Sequence, residues 1–595
     1  MTYNWNIRTL TAAEQAIQQQ LEQELKISSA SARMLVVRGI QTAEEARHFV
    51  CPSWDQLHDP FLMRDMDKAV ERLHQALTQG ERILIYGDYD VDGTTAVTLM
   101  YRFLLPLTSS PHHLDYYIPD RYTEGYGVSQ QGIDYAHSQG CTLIITLDCG
   151  IKAVERVAYA ASKGIDVIVC DHHTPGNELP QAVAVLNMKR NDCPYPYKDL
   201  SGCGVGFKLA QAYTQRYLAS SPNNLITSSP NSLITSSPHH LITLLPLTQL
   251  LAMSIASDVV PLTGENRILA YYGIQQLNKQ PYAGIAAIME VAGIEKGKLD
   301  NTDLVFRIGP RINASGRMKS GREAVQLLIT DDPDLAQQQA EEVNQHNLDR
   351  RDCDTKTTEE ALALLQAAEK EQCFSTVVYS PNWHKGVVGI VASRLIERCY
   401  RPTIVLTAGE DGIISGSARS VEGFDIYSAI DSCRDLLTNF GGHVYAAGLS
   451  MHKDNLPEFK QRFEAYVASH IREDQKQPTL HIEAQIQLSD IDQRFYNILR
   501  HLEPFGPGNP RPVFITRNLI NHRDTKVVGK TREHLRLDLT DRTAAITGIA
   551  FGRANMEMHI RNGNAVDVCY ELEENTFRNV TTIQMMVQDI VPSNL

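Results

Sequence analysis

The sequence of this 595-residue chain contains no run of about 18 apolar residues, so no membrane-spanning helix is expected. Its opening, MTYNWNIRTL, lacks both an apolar core and a small-residue cleavage site, which argues against a signal peptide. The 11 cysteines form no CxxC pair. A zinc framework or a disulfide scaffold is therefore not indicated; free thiols in a reducing compartment are, and the cytoplasm is the expected address. No GxxxxGK(S/T) loop occurs, so an ATP-driven motor is not indicated either. Positive charge is in deficit, with 56 Lys and Arg against 70 Asp and Glu and a net charge of −14. Phosphates attract cations, so the total alone speaks against a nucleic-acid partner. The objection is weak for a metal enzyme, whose surplus carboxylates are neutralised by bound cations, and local arginine clusters matter more than the total.

What is present is organised in αβ repeats. The length suggests three or four domains of about 150 residues each. Residues 1–60 read as a helical lead-in. From Glu81 onward, short apolar runs end in acidic loops. Ile83–Tyr86 precedes GDYDVDG, Leu114–Ile118 forms a second strand, Leu143–Leu147 precedes Asp148-Cys149-Gly150, and Val167–Cys170 precedes Asp171-His172-His173. Apolar strands separated by 10–15-residue helical stretches indicate βαβ units and a parallel sheet. Residues 220–243 repeat SSPNNLIT, SSPNSLIT and SSPHHLIT. This reads as an exposed insertion in preference to a metal site at His239 and His240. Residues 332–370 predict a long helix. A second αβ region follows, with helices over Gly386–Arg398 and Asp425–Leu437 and strands over Thr403–Thr407 and Gly412–Ser417. Beyond residue 475, alternating segments such as His534–Leu539 predict a small barrel.

Three acidic sites thus follow three strands of one predicted sheet: Asp88, Asp90 and Asp92; Asp148; and Asp171 with its two histidines. In an open parallel sheet the carboxyl ends of the strands converge on a crevice. Carboxylates brought together there repel, and burial raises the cost, so a divalent cation is the simplest remedy. A lone Asp at a strand end is usually a helix cap, but three such sites with a His pair are not well explained that way. DYDVDG also resembles the start of a calcium loop, yet its twelfth position is Leu99 where a Glu is required, and it follows a strand. Carboxylates with one or two imidazoles suit Mn²⁺ or Mg²⁺, and the number of ligands suggests two ions, which together can drive phosphoryl displacement.

DYDVDG, LDCG and DHH, followed by ASDVVP at Ala256–Pro261, resemble the four motifs of the DHH phosphoesterases. Further segments resemble the single-strand-specific DNA exonuclease branch of that family: RYTEGYG (Arg121–Gly127), SGCGVGFKLA (Ser201–Ala210), GENR (Gly264–Arg267), PRINASGRM (Pro310–Met318), WHKGVVGIVA (Trp383–Ala392), GSARS (Gly416–Ser420), and GGH at Gly441–His443 followed by AAG. PFGPGN (Pro504–Asn509) is similar to the lead into that branch's oligonucleotide-binding barrel. The resemblance implies an α/β fold with a DHH catalytic domain over 61–331, a connecting helix over 332–370, a smaller DHHA1 domain over 371–474 and an OB-type β-barrel over 475–595. It implies 5′-to-3′ hydrolysis of single-stranded DNA in repair and recombination, with Asp90, Asp92, Asp148, His172 and Asp258 as metal ligands and Asp88 and His173 close by. It also implies a monomer working with a single-strand-binding protein and a helicase.

Chemistry adds candidates for the strand. Arg121, Arg311 and Arg419 offer guanidinium forks to phosphate, with Ser417, Asn313 and Arg317 beside them in the same motifs. Each arginine alone is nearly as well read as a surface ion pair. His443 reads equally as a phosphate contact or a core histidine, and Gly442 would let backbone approach the strand. A narrow passage between the αβ domains would exclude duplex by width. Phe514, Phe551, Tyr570 and Phe577, with Lys530, Arg532 and Arg536, would hold bases on the barrel, although each aromatic alone is more readily core. Two alternatives compete: a small-substrate DHH hydrolase, whose relatives lack a barrel, and a non-catalytic DNA-binding scaffold, which would have lost ligands.

Overall fold

The computed structural model describes residues 3–218, 244–368, 373–578 and 580–593. The octapeptide repeat at 220–243 lies outside the described residues. The chain divides into two compact units: 48–348 with 503–510, and 1–47 with 349–502 and 511–595. Among the described residues no helix is long and apolar enough to cross a membrane.

The first unit is built on a parallel sheet. Its strands are β1 (Ile83–Gly87), β2 (Leu114–Tyr117), β3 (Leu143–Leu147), β4 (Asp166–Cys170) and β5 (Ala184–Leu186), in the order β2-β1-β3-β4-β5. The runs that read as apolar are buried on both faces, as a covered parallel sheet requires. Ile83 and Ile85 face a core shared with the helices Val91–Leu104, Gly202–Tyr213 and Thr248–Ser257. Leu84 and Tyr86 face a second core with Ile133, Ala136, Val157 and Ala160 on the helices Gln130–Ser138 and Val154–Ser162. The strand order reverses at β1, so a crevice opens between the carboxyl ends of β1 and β3, the place where ligands sit in such sheets. Gly87, Leu147 and Cys170 pair level with one another across β1, β3 and β4. The next residues on the three strands, Asp88, Asp148 and Asp171, therefore reach the crevice together.

The second unit holds a mixed sheet of β6 (Thr376–Ser380), β7 (Thr403–Ala408), β8 (Ile413–Arg419), β9 (Leu437–His443) and β10 (Ala446–His452), in the order β9-β10-β8-β7-β6. It also holds a seven-stranded sheet, five strands of which close into a barrel because Phe514–Asn521 pairs with both Val566–Phe577 and His534–Thr540. Two expectations are corrected here. The helix expected over Asp425–Leu437 covers only Ile426–Asp431, and the chain then turns into β9. Ile426, Ala429, Ile430 and Cys433 keep the helical spacing of a buried face, and Leu436 continues it, but from Arg434 the backbone tightens into a single 3-10 turn. The lead-in is not purely helical: Asn4–Ile7 is a strand paired in parallel with Thr479–Ile482, and the Trp5 indole donates to Asp589 at 2.9 Å. The long helix runs over Pro333–Ala368, its first residue a proline, which costs a first turn no hydrogen bond.

Candidate metal centre

Each acidic side chain reaches the crevice by a different local device. Asp90 caps the helix Val91–Leu104, accepting the Gly93 amide at 3.0 Å, so its carboxylate lies at the positive end of the helix. Asp92, in the first turn, is buried and accepts the amides of Gly202 at 2.6 Å and Cys203 at 2.8 Å, with the Ser254 hydroxyl at 2.7 Å. Asp148 leaves β3 in a left-handed conformation at φ 60°, held by its amide on the Cys170 carbonyl at 2.9 Å. Asp258 follows the helix Thr248–Ser257, its amide closing the last turn on Ser254.

The histidines differ in role. His172 Nδ1 lies 3.1 Å from the Leu200 carbonyl, which places a proton on Nδ1 and leaves the Nε2 lone pair free. Nε2 lies 3.2 Å from Asp148, 3.6 Å from Asp258 and 4.0 Å from Asp92. His173 Nδ1 is bonded to Asp171 at 2.7 Å, and the Tyr126 hydroxyl lies 3.2 Å from its ring nitrogens. Burial would raise Asp171, but the His173 hydrogen bond and charge bring it below the usual carboxylate range. Burial would lower His173, and the Asp171 hydrogen bond more than reverses this, so His173 keeps its proton to higher pH than an ordinary histidine. Burial lowers His172.

Ligand atoms converge in three groups, each within 4.8 Å: Asp88, Asp90 and Asp148; Asp148, His172 and His173; and Asp92, His172 and Asp258. Asp148 and His172 belong to two groups each, so the three groups overlap and form one continuous cluster. Asp88 Oδ1, Asp148 Oδ1 and His172 Nε2 are buried without a hydrogen-bond partner. Buried polar atoms are ordinarily satisfied, and three orphaned acceptors aimed at one place fit a cation. Burial and mutual repulsion push Asp88, Asp90 and Asp148 above their usual range, and Asp258 up to about 9. Hard oxygen donors with imidazole suit Mn²⁺ or Mg²⁺, and the protein residues present fit such ions.

The crevice opens into a cleft of about 320 Å³ lined by Asp88, Asp90, Asp92 and Asp258 and by Arg121, Tyr126, Asn313 and Arg317. Arg121 stands over the Tyr89 ring at 4.9 Å, and the Tyr122 hydroxyl donates to the Arg317 carbonyl at 2.6 Å. Arg311 does not line the cleft; its guanidinium donates to Asn344 at 3.0 Å and to the Arg307 carbonyl at 2.6 Å. Ser417, Arg419, Gly442 and His443 lie in the other unit and are brought together there, since β10 pairs Ala446 with both Arg419 and His443, and Ala447 with Gly442. Arg419 donates to Ser417 at 2.7 Å, and burial lowers its pKa. Of the barrel aromatics, Phe514 and Tyr570 are core, Phe551 is 58% exposed, and the Phe577 side chain lies outside the described set.

Sequence reasoning missed the residues that hold the ligands: Gly202, Cys203, Ser254, the Leu200 carbonyl, and Asn187, which donates to the His173 carbonyl at 2.9 Å. The one available signal was the SGCG segment, whose first glycine is obligatory. A Cβ on Gly202 would stand 2.5 Å from Asp148 Cβ and 2.6 Å from its Oδ1.

Three family models match the chain: the DHH family N-terminal domain over residues 82–231, the DHHA1 domain over 371–469 and the RecJ OB domain over 482–589. The single-stranded-DNA-specific exonuclease RecJ of Escherichia coli K12 is 33% identical over 587 residues, covering 94% of this chain and 95% of the relative. The chain belongs to the RecJ family. RecJ of Bacillus subtilis 168 is 34% identical over 574 residues, covering 96% of this chain and 69% of the longer relative. The crystal structure of Thermus thermophilus RecJ in complex with Mn²⁺ superposes with a TM-score of 0.81 at 26% identity, covering 100% of this chain and 80% of that one. The RecJ fold thus accounts for the DHH sheet, the DHHA1 sheet and the barrel.

Two outcomes are expected. A carboxyl with a raised folded pKa holds its proton more tightly folded than unfolded. Its contribution to stability is complete below the unfolded value of about 4 and is lost as pH rises toward the folded one, about 9 for Asp258. Metal-free protein should therefore melt lower at about pH 8 than at about pH 6, and Mn²⁺ should raise Tm more at the higher pH, because the ion replaces protons. A metal-induced shift independent of pH in calorimetry would contradict this. Gly202→Ala should cost about 1–3 kcal/mol by overpacking and weaken Mn²⁺ binding; full affinity by isothermal titration would show that Asp148 tolerates the methyl group.

Proposed function

We propose that this chain hydrolyses single-stranded DNA from its 5′ end, removing nucleotides in the service of DNA repair and recombination. One observation carries the reading: at the switch point of a RecJ-family sheet, Asp88, Asp148 and His172 each keep a buried ligand atom with no hydrogen-bond partner, and Asp148 shares a ligand group with each of the other two. Asp88, Asp90, Asp92, Asp148, His172 and Asp258 would hold Mn²⁺ or Mg²⁺, and two ions are expected because the overlapping groups offer more ligands than one ion needs. When bound, the ions supply charge neutralisation on the scissile phosphate and activation of the attacking water.

The chain's own residues do the rest. Arg121 and Arg317 bring cations to the cleft that the carboxylates line, where they receive the phosphate backbone and orient the scissile bond. Asn313 offers an amide donor in the same cleft. His173, bonded through Nδ1 to Asp171, keeps a proton available at its ring for a phosphate or leaving 3′-oxygen, and Tyr126 fixes the ring plane. Ser417 and Arg419 are proposed as a phosphate contact, since a half-buried guanidinium whose described contacts are a hydroxyl and a backbone carbonyl suits an anion. Gly442 and His443, paired alongside, extend that surface. The domain limits proposed for these parts are 61–331, 332–370, 371–474 and 475–595.

Without a phosphate-binding loop for ATP the chain has no means of opening duplex, so a helicase is proposed to supply its strand and a single-strand-binding protein to present it. The proposed working state is a cytoplasmic monomer. A small-substrate hydrolase is disfavoured by the barrel, and a non-catalytic scaffold by the complete ligand set.

Digestion of single strands labelled at the 5′ or the 3′ end, with Mn²⁺, Mg²⁺ or chelator, should release 5′ label first and only with metal. Asp148→Ala should lower kcat by more than about 100-fold, beyond the loss of an outer-shell partner, while circular dichroism stays native. Near-normal turnover of that variant would remove Asp148 from the site. On the barrel, exposed Phe551 stands edge-on to His534 at 5.0 Å. Phe551→Ala should weaken binding of long strands by about 1–3 kcal/mol and leave cleavage of the shortest substrates unchanged; equal affinity in fluorescence anisotropy would rule out stacking there.

A further inference from the structure

Asp258 differs from the other acidic ligands in standing at the C-terminal end of a helix, with no strand leading into its loop. The residue after it, Val259, has φ 59°, a left-handed conformation that a β-branched side chain adopts only under constraint. Val259 is 67% exposed, so no packing of its own side chain holds it there. The constraint comes from the residues that follow. The Pro261 carbonyl accepts from Tyr197 at 3.2 Å and from the Asn266 amide at 3.0 Å. The Leu262 amide donates to the Pro507 carbonyl at 2.6 Å.

Pro507 belongs to PFGPGN, which the sequence reading left as the lead into the barrel. Its neighbours in the chain, the helix Gln493–His501 and the strand Phe514–Asn521, fold in the other unit, yet residues 503–510 belong to the unit of the acidic cluster. The segment is tied there by alternate carbonyls. Glu503 accepts from Arg267 at 2.8 Å, Phe505 from Asn301 at 2.8 Å, and Pro507 from Leu262. The intervening Pro504 carbonyl is satisfied from within, by the buried Asn509 side chain at 2.9 Å, and Gly506 and Asn509 exchange both backbone bonds. A Cβ on Gly506 would stand 2.5 Å from Leu262 Cδ1. The sequence of the strap is thus explained by its seat against the loop after Asp258.

We propose that Glu503–Pro510 is a positioning strap for Asp258: it clamps the loop at Leu262, holds Val259 left-handed and so fixes the carboxylate that faces His172. The proposal rests on Asp258 being a metal ligand. The test uses the full-length chain carrying Asn509→Ala, which opens the strap's internal turn, or Asn301→Ala, which releases its Phe505 anchor; neither residue lines the cleft. Hydrogen exchange at the Leu262 amide, Mn²⁺ titration followed by electron paramagnetic resonance, and kcat and KM are read together. The expected result is lost protection at Leu262, Mn²⁺ affinity lowered about tenfold, and a reduced kcat that excess Mn²⁺ restores, with KM for the strand within about twofold of wild type. Wild-type Mn²⁺ affinity in variants with an exposed Leu262 amide would overturn the proposal, and so would Leu262 protection that survives both substitutions. Asp148→Ala serves as the control: if it too binds Mn²⁺ normally, the metal-site reading fails, not the strap alone.

Discussion

Everything in the catalytic unit answers one electrostatic problem: several carboxylates are forced into a buried crevice where each repels the others. A parallel sheet creates the problem, because three neighbouring strands end level and the residue after each is acidic. The protein meets it with fixed dipoles before any cation arrives. Asp90 caps the first turn of its own helix, and Asp92 accepts from the first turn of another, each at a positive end. These donors hold the carboxylates in place but leave Asp88, Asp148 and His172 with unmatched atoms, and that remainder of unsatisfied charge is what selects for a divalent cation.

The division between legible and illegible features follows sequence distance. The acidic tips could be read because strand, tip and helix are local, and a buried parallel strand is a continuous apolar run. The long helix over Pro333–Ala368 was legible for the same reason. The supports of the site were not. Ser254 meets Asp92 across 162 residues and Gly202 across 110; nothing local marks Ser254, and the SGCG segment marks Gly202 without naming its partner. Asp258 was found through its motif and not its pattern, since a helix-terminal Asp has many ordinary explanations. The helix before β9 was read too long because the buried Cys433 and Leu436 continue the apolar spacing through a short 3-10 turn at Arg434–Leu436. Arg311 shows the same limit: its motif suggested a strand contact, while the partner its Nε takes, Asn344, lies 33 residues away on the long helix and could not be read locally.

The net charge of −14 loses its force as an objection once charge is placed. The carboxylates of the crevice share their cleft with Arg121, Asn313 and Arg317. A phosphodiester entering there meets guanidinium cations and, beside them, acids that only a metal can make hospitable. Binding of the strand and binding of the ion are therefore coupled: the anionic substrate is repelled by the bare cluster and attracted by the loaded one.

The same reasoning explains why the chain returns to the catalytic unit after it has left it. Three of the ligand-bearing loops are anchored by strands, whose geometry is set by the sheet. The fourth, carrying Asp258, has only a helix end and a strained valine behind it. A loop so placed has no ladder to fix it, and its carboxylate would otherwise swing away from its neighbours, since repulsion favours separation. A clamp on the backbone at Leu262, just past the strained valine, is the least that will hold it against that force. Alternate carbonyls of the strap supply the clamp through backbone acceptors, leaving the electrostatics of the crevice to the metal and the phosphate.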